Sequence, residues 1–164
     1  TALVAQTEAS RDALTGIANR RAFDDWLATA LADPQQEFSV MILDLDYFKA
    51  INDSHGHDLG DQVLQRVARL LSGTLTRRDD QVARIGGEEF GVLLPGAGCP
   101  PGDSWQPVTL SVGVATRTPG TNITGRELMR QADRGLYLAK QRGRDQAVHA
   151  ALSGQSDPPK ADAG

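Results

Sequence analysis

Two groups of carboxylates are the residues in this sequence that could most readily do chemistry. One is Asp44-Leu45-Asp46, which ends a nearly continuous apolar run, and the other is Glu88-Glu89, which follows two glycines. Carboxylate oxygens suit hard divalent cations such as Mg²⁺, with water and phosphate oxygens completing the coordination. A cation held in this way lowers the pKa of an attacking hydroxyl and stabilises a leaving phosphate. The alternative is that the aspartates simply end a strand and the glutamates are solvated turn residues.

A buried strand and a hairpin would have to position these groups. Residues 38–43 form an apolar run that predicts a buried strand, and the two-residue period of a strand places both aspartates on one face. Gly86 and Gly87 separate two further apolar runs, which is typical of a tight hairpin turn whose glycines supply positive φ angles. We therefore expect the two glutamates at the hairpin tip, close to the aspartates if the two strands pair.

Apolar residues at helical spacing predict three helices around this sheet. The first covers residues 20–31, and the second carries an apolar stripe over 59–71 that follows a polar loop over 52–61. The third begins after a capping box at Thr124 and stops near Gly143. Helices that lie between strands in this way predict an α/β sandwich with the sheet in the centre.

Composition favours one domain in a reducing compartment. The chain has 164 residues, 40% of them hydrophobic, which is enough for a single core. Its net charge of −4 provides no general basic field for nucleic acid, and a single cysteine, Cys99, excludes an internal disulfide. No apolar stretch approaches the ~18–20 residues that span a bilayer, so we expect no membrane contact by this domain.

Three segments follow from the composition along the chain. Residues 1–11 are polar and alanine-rich, which predicts the end of a signalling helix or linker from an upstream module, and residues 12–149 form the domain. Residues 150–164 are rich in Ser, Gly, Pro, Asp and Ala and predict a disordered tail. Because the sequence begins with Thr1 rather than Met, we expect it to be a piece of a longer protein.

Six motifs in a fixed order give this chain a family resemblance. They are Asp12–Arg21 (DALTGIANRR), Asp44–Lys49 with Asn52-Asp53, Gly56–Asp61, Gly86–Phe90 (GGEEF), Ser111–Ala115 and Tyr137–Lys140. Together they resemble the GGDEF domain, the catalytic domain of diguanylate cyclases, in its GGEEF variant, over roughly residues 12–144. The resemblance implies an α/β (α+β) fold with a central, mostly antiparallel sheet flanked by helices, similar to nucleotidyl cyclases and polymerase palm domains.

The resemblance also implies a reaction, in which two GTP molecules give cyclic di-GMP and two pyrophosphates. Two Mg²⁺ or Mn²⁺ ions per active site would be bound by Asp44 and Glu88, with the carbonyl of Leu45 assisting. The catalytic residues it implies are Glu88, Glu89 and Lys49, and which glutamate helps to activate the 3′-hydroxyl of GTP stays open. Since each domain would hold one GTP, catalysis implies a homodimer.

Further residues are assigned to GTP by the same resemblance. The phosphate contacts would come from the backbone amides of Tyr47 and Phe48 and from the side chains of Lys49, Lys140 and Arg144. Asn52 and Asp61 would hydrogen-bond the guanine, and a carboxylate that accepts from its N1–H and N2–H₂ edge discriminates against adenine. Gly86 and Gly87 would leave room for the nucleotide to lie across the hairpin.

A second, inhibitory site is implied upstream of the hairpin. Arg77 and Asp80 match the family's Arg-x-x-Asp motif, and Asp80 precedes Gly86 by six residues, as in the family. They would bind the product, cyclic di-GMP, and provide feedback inhibition. The alternative interpretation is an ordinary charged helix end followed by a turn.

The sequence departs from the family between the hairpin and the strand over 108–115. The family has a crossover helix there, whereas only residues 96–106 separate Pro95 from Pro107. Either residues are missing from this sequence or the helix has been lost, and we expect one sheet face to lose its cover.

Two other functions remain open at this stage. One is a catalytically silent receptor that binds cyclic di-GMP through Arg77 and Asp80, and the other is a regulatory GTP-binding module that controls a partner domain. The retained metal, phosphate and guanine residues argue against the receptor. The regulatory module would keep the guanine and phosphate residues but would not need a second carboxylate cluster. We expect a bacterial cytoplasmic location, as the cytoplasmic part of a larger sensor with an upstream sensory or regulatory module.

Overall fold

A computed structural model of the chain describes residues 9–75, 77–96 and 109–149. The strands within these residues are β1 (Ala18–Asn19), β2 (Phe38–Leu45), β3 (Gln81–Arg84), β4 (Glu89–Pro95), β5 (Leu110–Arg117) and β6 (Gln146–His149). The helices in the same part of the chain are α1 (Arg20–Ala32), α2 (Phe48–His55), α3 (His57–Thr74) and α4 (Gly125–Gln141).

The apolar run that ends in Asp44 forms the central strand, β2. Its neighbours β4 and β5 are both antiparallel to it, and Asp44 lies opposite Glu89 on β4 and Ser111 on β5. β3 pairs antiparallel with β4, while the short strands β1 and β6 add parallel edges. The order β1-β3-β4-β2-β5-β6 therefore confirms a mostly antiparallel sheet flanked by helices.

Each face of the sheet has its own apolar core. α1 and α4 pack on the face that carries the even-numbered residues of β2, where Phe23, Phe38 and Leu128 are fully buried. α3 packs on the opposite face, against Leu43 and Phe90 among others. Since burying each large apolar side chain stabilises the fold by about 1.5–3 kcal/mol, these two cores hold the end of β2 and the hairpin firmly in place.

Two glycines let α4 approach the sheet closely. A Cβ on Gly113 of β5 would lie 1.9 Å from the carbonyl oxygen of Ala132, and one on Gly135 of α4 would lie 2.5 Å from the carbonyl oxygen of Val148. Both contacts are with backbone, which cannot move aside cheaply. The close approach explains Gly135, an unfavourable residue within a helix, and it brings Lys140 on the same helix towards β2.

The predicted polar loop over residues 52–61 is wrong, because most of this segment is helical. α2 runs to His55, α3 begins at His57, and Gly56 between them has a φ of 86°. α2 buries none of its residues fully. It therefore lacks the apolar stripe from which a helix can be predicted. The stripe predicted for α3 is also only partly correct, since Leu59 and Leu70 are exposed.

The predicted hairpin is present, but its tip differs from the expectation. β3 and β4 pair as far as Arg84 and Phe90, so Glu89 opens β4 instead of lying at the tip. Neither Gly86 nor Gly87 has a positive φ. The connection covers residues 85–88, and it therefore does not need the two-residue turn that forces positive φ angles.

Several expectations concern residues that the structure does not describe. Residues 1–8, 97–108 and 150–164 are not described, so the upstream helix, the crossover connection and the disordered tail stay predictions. The expected loss of cover over one sheet face stays a prediction too; Met41 and Val114, on the face against which α3 packs, are buried. Among the described helices, none combines the length and apolar character needed to cross a membrane.

Candidate active site

Asp44 is the centre of the candidate active site. Its side chain is 8% exposed, and its Oδ2 accepts a hydrogen bond from Nζ of Lys140 at 2.7 Å. Its Oδ1 is buried and has no hydrogen-bond partner among the described residues. Leaving a buried carboxylate oxygen without a partner is costly, so this atom is suited to receive a ligand.

Both glutamates of the GGEEF motif lie close to this aspartate. Glu89 faces Asp44 across the β2–β4 pair, and the carbonyl of Glu88 accepts from the amide of Leu45 at 3.2 Å. Burial first, and the negative charge of Asp44 second, raise the pKa of Glu88 and that of Glu89, while Lys140 lowers both. Three carboxylates thus share one nearby ammonium group, an excess of negative charge that favours a cation.

These residues fit a magnesium site that substrate completes. Within residues 9–75, 77–96 and 109–149, no three His, Cys, Asp or Glu side chains are arranged to hold a metal ion alone. Mg²⁺ commonly uses one or two carboxylates together with waters and substrate phosphates. The free Oδ1 of Asp44, the carboxylate of Glu88 and the carbonyl of Leu45 are all oxygen donors, the chemistry that Mg²⁺ requires.

Asp46, two residues further along, is in a different situation. Its Oδ1 accepts from Oγ of Ser111 at 2.7 Å. Its Oδ2 accepts from Oγ1 of Thr109 at 2.7 Å and from the amide of Asp145 at 3.1 Å. This carboxylate is buried and satisfied, and it ties the end of β2 to the start of β5 and to the connection after α4.

Except for Lys140, the residues assigned to phosphate lie at the start of α2 or contact the residue before it. Tyr47 is exposed and precedes the helix in a left-handed conformation, so the first amides of α2 are open at an end that favours anions. The guanidinium of Arg144 lies 4.7 Å from the centroid of the Tyr47 ring. Lys49 is exposed, with its Nζ 3.9 Å from Asp53. The structure brings Lys140 to Asp44 instead, a contact the sequence did not indicate.

Asn52 and Asp61, assigned to guanine, lie on the adjoining helices α2 and α3. Oδ1 of Asn52 is buried and finds no hydrogen-bond partner in the described part of the chain. A Cβ on Gly60 would lie 1.9 Å from this atom, so Asn52 rests against the backbone of α3, while Asp61 beside Gly60 is exposed. Sequence reasoning missed Gly60, whose only signal was its place in the motif over 56–61.

The hairpin connection is held by an arginine that sequence reasoning also missed. Nε and Nη2 of Arg84 donate to the carbonyl of Gly87 at 3.2 and 2.8 Å, and its Nη1 lies 3.3 Å from the carboxylate of Asp12. Burial alone would raise the pKa of Asp12, but hydrogen bonds from Thr15 and the charge of Arg84 lower it overall. A Cβ on Gly87 would meet open space.

Arg77 and Asp80 lie together at the other end of β3. Nη2 of Arg77 is 2.9 Å from Oδ1 of Asp80, and its Nε donates to Oδ2 at 3.1 Å. The arginine side chain is 55% exposed and the aspartate side chain only 5%. The Arg77–Asp80 salt bridge and the hairpin connection that carries Glu88 therefore lie at opposite ends of β3.

Comparisons with known proteins agree with this geometry. A family model described as "Diguanylate cyclase, GGDEF domain" matches residues 9–102. The chain is 38% identical to the Escherichia coli K12 protein named "Probable diguanylate cyclase DgcT", over 88% of this chain and 36% of that protein. It spans less than half the length of the curated relatives it matches first, between 36% and 45%.

Solved structures of other proteins have the same fold. The coiled coil and GGDEF domain of DgcB from Caulobacter crescentus, in complex with c-di-GMP, matches with a TM-score of 0.79 at 30% identity, covering 91% of this chain and 90% of that one. Diguanylate cyclase SiaD from Pseudomonas aeruginosa, in complex with its activator SiaC, matches with a TM-score of 0.78 at 34% identity, over 91% and 65%. The chain belongs to the GGDEF domain family of diguanylate cyclases.

Proposed function

We propose that this chain is the catalytic domain of a diguanylate cyclase, which joins two GTP molecules into cyclic di-GMP with release of two pyrophosphates. The observation that carries the proposal is the free, buried Oδ1 of Asp44 beside Glu88 and Glu89. A silent receptor would have no need to keep this costly arrangement. A regulatory GTP-binding module would need the phosphate and guanine residues but not a cluster of carboxylates.

The divalent cations would be held by Asp44 and Glu88 with the carbonyl of Leu45, two per active site. When bound, such cations lower the pKa of an attacking hydroxyl and neutralise charge on a leaving phosphate. The 3′-oxygen of one GTP attacks the α-phosphorus of the other, and the bond between the α-phosphorus and its bridging oxygen to the β-phosphate breaks. Glu88 or Glu89 accepts the proton of the attacking 3′-hydroxyl as a general base.

The remaining substrate contacts come from the residues around α2 and α4. The amides of Tyr47 and Phe48, with Lys49 and Arg144, bind the β- and γ-phosphates and stabilise the departing pyrophosphate. Lys140 joins them when a cation replaces it at Asp44. The guanine is bound by Asn52 and Asp61. Gly86 and Gly87 carry no side chain that would block the nucleotide, and a Cβ on Gly87 would meet open space.

Two copies of the domain must face each other, because one copy supplies only one GTP. An isologous two-fold arrangement places each 3′-hydroxyl against the α-phosphate of the other substrate. We further propose that an upstream regulatory module controls this pairing, in the bacterial cytoplasm where GTP is available.

Product inhibition is a separate part of the proposal. Cyclic di-GMP would bind at Arg77 and Asp80, where a guanidinium offers bidentate hydrogen bonds to phosphate or to guanine acceptors. Substitution of Arg77 with Ala should relieve inhibition by added product, and substitution of the neighbouring exposed Arg78 with Ala is the matched control. Unchanged inhibition in Arg77→Ala would remove this site.

The test of the reaction is direct product analysis. The protein is incubated with GTP and Mg²⁺, and pyrophosphate and cyclic di-GMP are quantified by chromatography. From the native chain we expect two pyrophosphates for each cyclic di-GMP, and from Glu88→Gln we expect neither product. GTP binding without turnover would favour the regulatory module, and binding of cyclic di-GMP alone would favour the receptor.

A further inference from the structure

The backbone around Asp46 is strained in an unusual way. Three residues other than glycine have positive φ angles in the described part of the chain, namely Tyr47 at 58°, Arg144 at 68° and Asp145 at 45°. Tyr47 follows Asp46 in the sequence, Asp145 donates its amide hydrogen bond to the Asp46 carboxylate, and Arg144 directly precedes Asp145. Such conformations persist only where the surroundings fix them, and they concentrate at functional sites.

The hydrogen bonds of Asp46 can hold these positive φ angles in place. Its carboxylate is 4% exposed and accepts the amide of Asp145, so it holds the connection after α4 in its left-handed form. The hydroxyls of Thr109 and Ser111 donate to the same carboxylate at 2.7 Å each and keep it from rotating. Buried carboxylates with full sets of donors are rigid anchors for the backbone around them.

The consequence appears at the side chains of Tyr47 and Arg144. The guanidinium of Arg144 stacks over the Tyr47 ring at 4.7 Å, and its Nη1 lies 3.5 Å from the tyrosine Oη. An arginine stacked on an aromatic face loses less conformational freedom when it later binds an anion. Its guanidinium is thereby held on the side chain of Tyr47, the residue that precedes α2.

We propose that Asp46 and Tyr47 are positioning residues for Arg144, with Asp46 fixing the backbone on both sides and the Tyr47 ring fixing the guanidinium for the β- and γ-phosphates of GTP. The inference rests on the proposed function, because it takes Arg144 as a phosphate ligand. Neither residue touches the reacting atoms through its side chain. Both act by keeping Arg144 in place before substrate arrives.

The first test measures binding of 3′-deoxy-GTP, which lacks the attacking hydroxyl and cannot react, and of GMP, which lacks the β- and γ-phosphates. We expect Tyr47→Leu to lower the affinity for 3′-deoxy-GTP by about 2- to 5-fold and to leave the affinity for GMP unchanged. Tyr47→Phe keeps the ring and should retain most of the affinity. Tyr137→Leu removes another exposed tyrosine, whose hydroxyl accepts from Gln141 and not from Arg144, and is the matched control.

A double-mutant cycle separates positioning from a general effect. In an Arg144→Ala background, Tyr47→Leu should have no further effect on 3′-deoxy-GTP, because the residue it positions is gone. The role of Tyr47 would be overturned if the two substitutions had additive effects on affinity. It would also be overturned if Tyr47→Leu lowered the affinities for GMP and 3′-deoxy-GTP equally. A native chain that does not bind 3′-deoxy-GTP at all would instead contradict the proposed function.

The second test concerns Asp46. Asp46→Asn replaces one acceptor oxygen with a donor, and we expect it to raise KM for GTP by about tenfold while changing kcat less. Asp145→Gly adopts a positive φ without strain and should recover part of this loss in the double variant. If Asp46→Asn does not fold, the Tyr47 cycle still decides the proposal. A folded Asp46→Asn with unchanged KM would overturn the role of Asp46.

Discussion

Asp44 and Asp46 occupy neighbouring positions on one face of the same strand end, yet their surroundings differ. Asp46 receives three hydrogen bonds and leaves no oxygen unused. Among the described residues Asp44 receives one, from Lys140, and its second oxygen is buried there without a donor, beside two further carboxylates. The fold satisfies one aspartate completely and leaves the other incomplete.

The difference indicates that the Asp46 carboxylate has a structural role and that the Asp44 carboxylate can bind a ligand. Donors for Asp46 come from β5 and from the connection after α4, so the strand end is anchored whether or not substrate is present. Asp44 is stabilised only in part, because every further donor would compete with a cation. An unsatisfied buried polar atom in an otherwise well-packed fold calls for such an explanation.

The largest expected effect comes from Asp44→Asn. The variant keeps the shape of the side chain but loses the charge that would hold a cation, so cyclic di-GMP synthesis should fall by about 10³-fold. The free energy of unfolding should change by less than about 0.5 kcal/mol, since Lys140 is partly exposed and can be solvated. Product formation and denaturant unfolding measure the two quantities, and a large loss of stability would contradict the comparison.

The next effect follows from the close approach of α4 to β5. Gly113→Ala would place a methyl group against the backbone of Ala132, so α4 must shift and carry Lys140 away from Asp44. We expect the free energy of unfolding to fall by about 3 kcal/mol, as measured by denaturant titration. Gly73→Ala, where a Cβ meets open space on α3, should not destabilise the protein. Equal effects of the two substitutions would show that α4 can adjust without cost.

Asp46→Ala should have a smaller effect on stability, but still a larger one than Asp44→Asn. It leaves the hydroxyls of Thr109 and Ser111 and the amide of Asp145 without their acceptor, which should lower the free energy of unfolding by about 2 kcal/mol. Thermal or denaturant unfolding measures it. If Asp46→Ala is as stable as the native chain, the anchoring role of this carboxylate is wrong.

The smallest effect concerns Asp12, a third aspartate that resembles Asp46 in being hydrogen-bonded but is more exposed. Its pKa lies below the ordinary value of 3.8, so its contribution to stability is present above that pH and is lost as pH falls through the lowered pKa. Asp12→Asn should therefore lower the free energy of unfolding by about 0.5–1 kcal/mol at neutral pH, with solvent screening included, and by almost nothing once the pH lies below the lowered pKa of Asp12. A difference that persists at low pH would contradict the assignment.

The sequence was sufficient for the elements that have strong local patterns. The apolar run before Asp44 predicted β2, the capping box at Thr124 predicted the start of α4, where the threonine does accept from the amide of Glu127, and the motifs predicted the fold class. α2 was missed because it buries no residue fully. β1 and β6 were missed because short edge strands form only when a neighbouring strand supplies their hydrogen bonds.

The site was predictable as a set of residues but not as a set of contacts. Asp44 and Asp46 have the same residue type and neighbouring positions, so spacing alone cannot tell which one is satisfied. The donors that decide it, such as Lys140 and Ser111, are distant in sequence. The same holds for Arg84 and Asp12, whose ion pair depends on how the chain start packs against the hairpin.

The most direct test of the account is cation binding at Asp44. Mn²⁺ is titrated in the presence of 3′-deoxy-GTP and followed by electron paramagnetic resonance, for the native chain, Asp44→Asn and the exposed control Asp25→Asn. We expect the native chain and the control to bind the cation and nucleotide together, and Asp44→Asn to lose at least about tenfold in Mn²⁺ affinity. Equal Mn²⁺ affinity in all three proteins would contradict the claim that the fold leaves Asp44 incomplete for a metal ion.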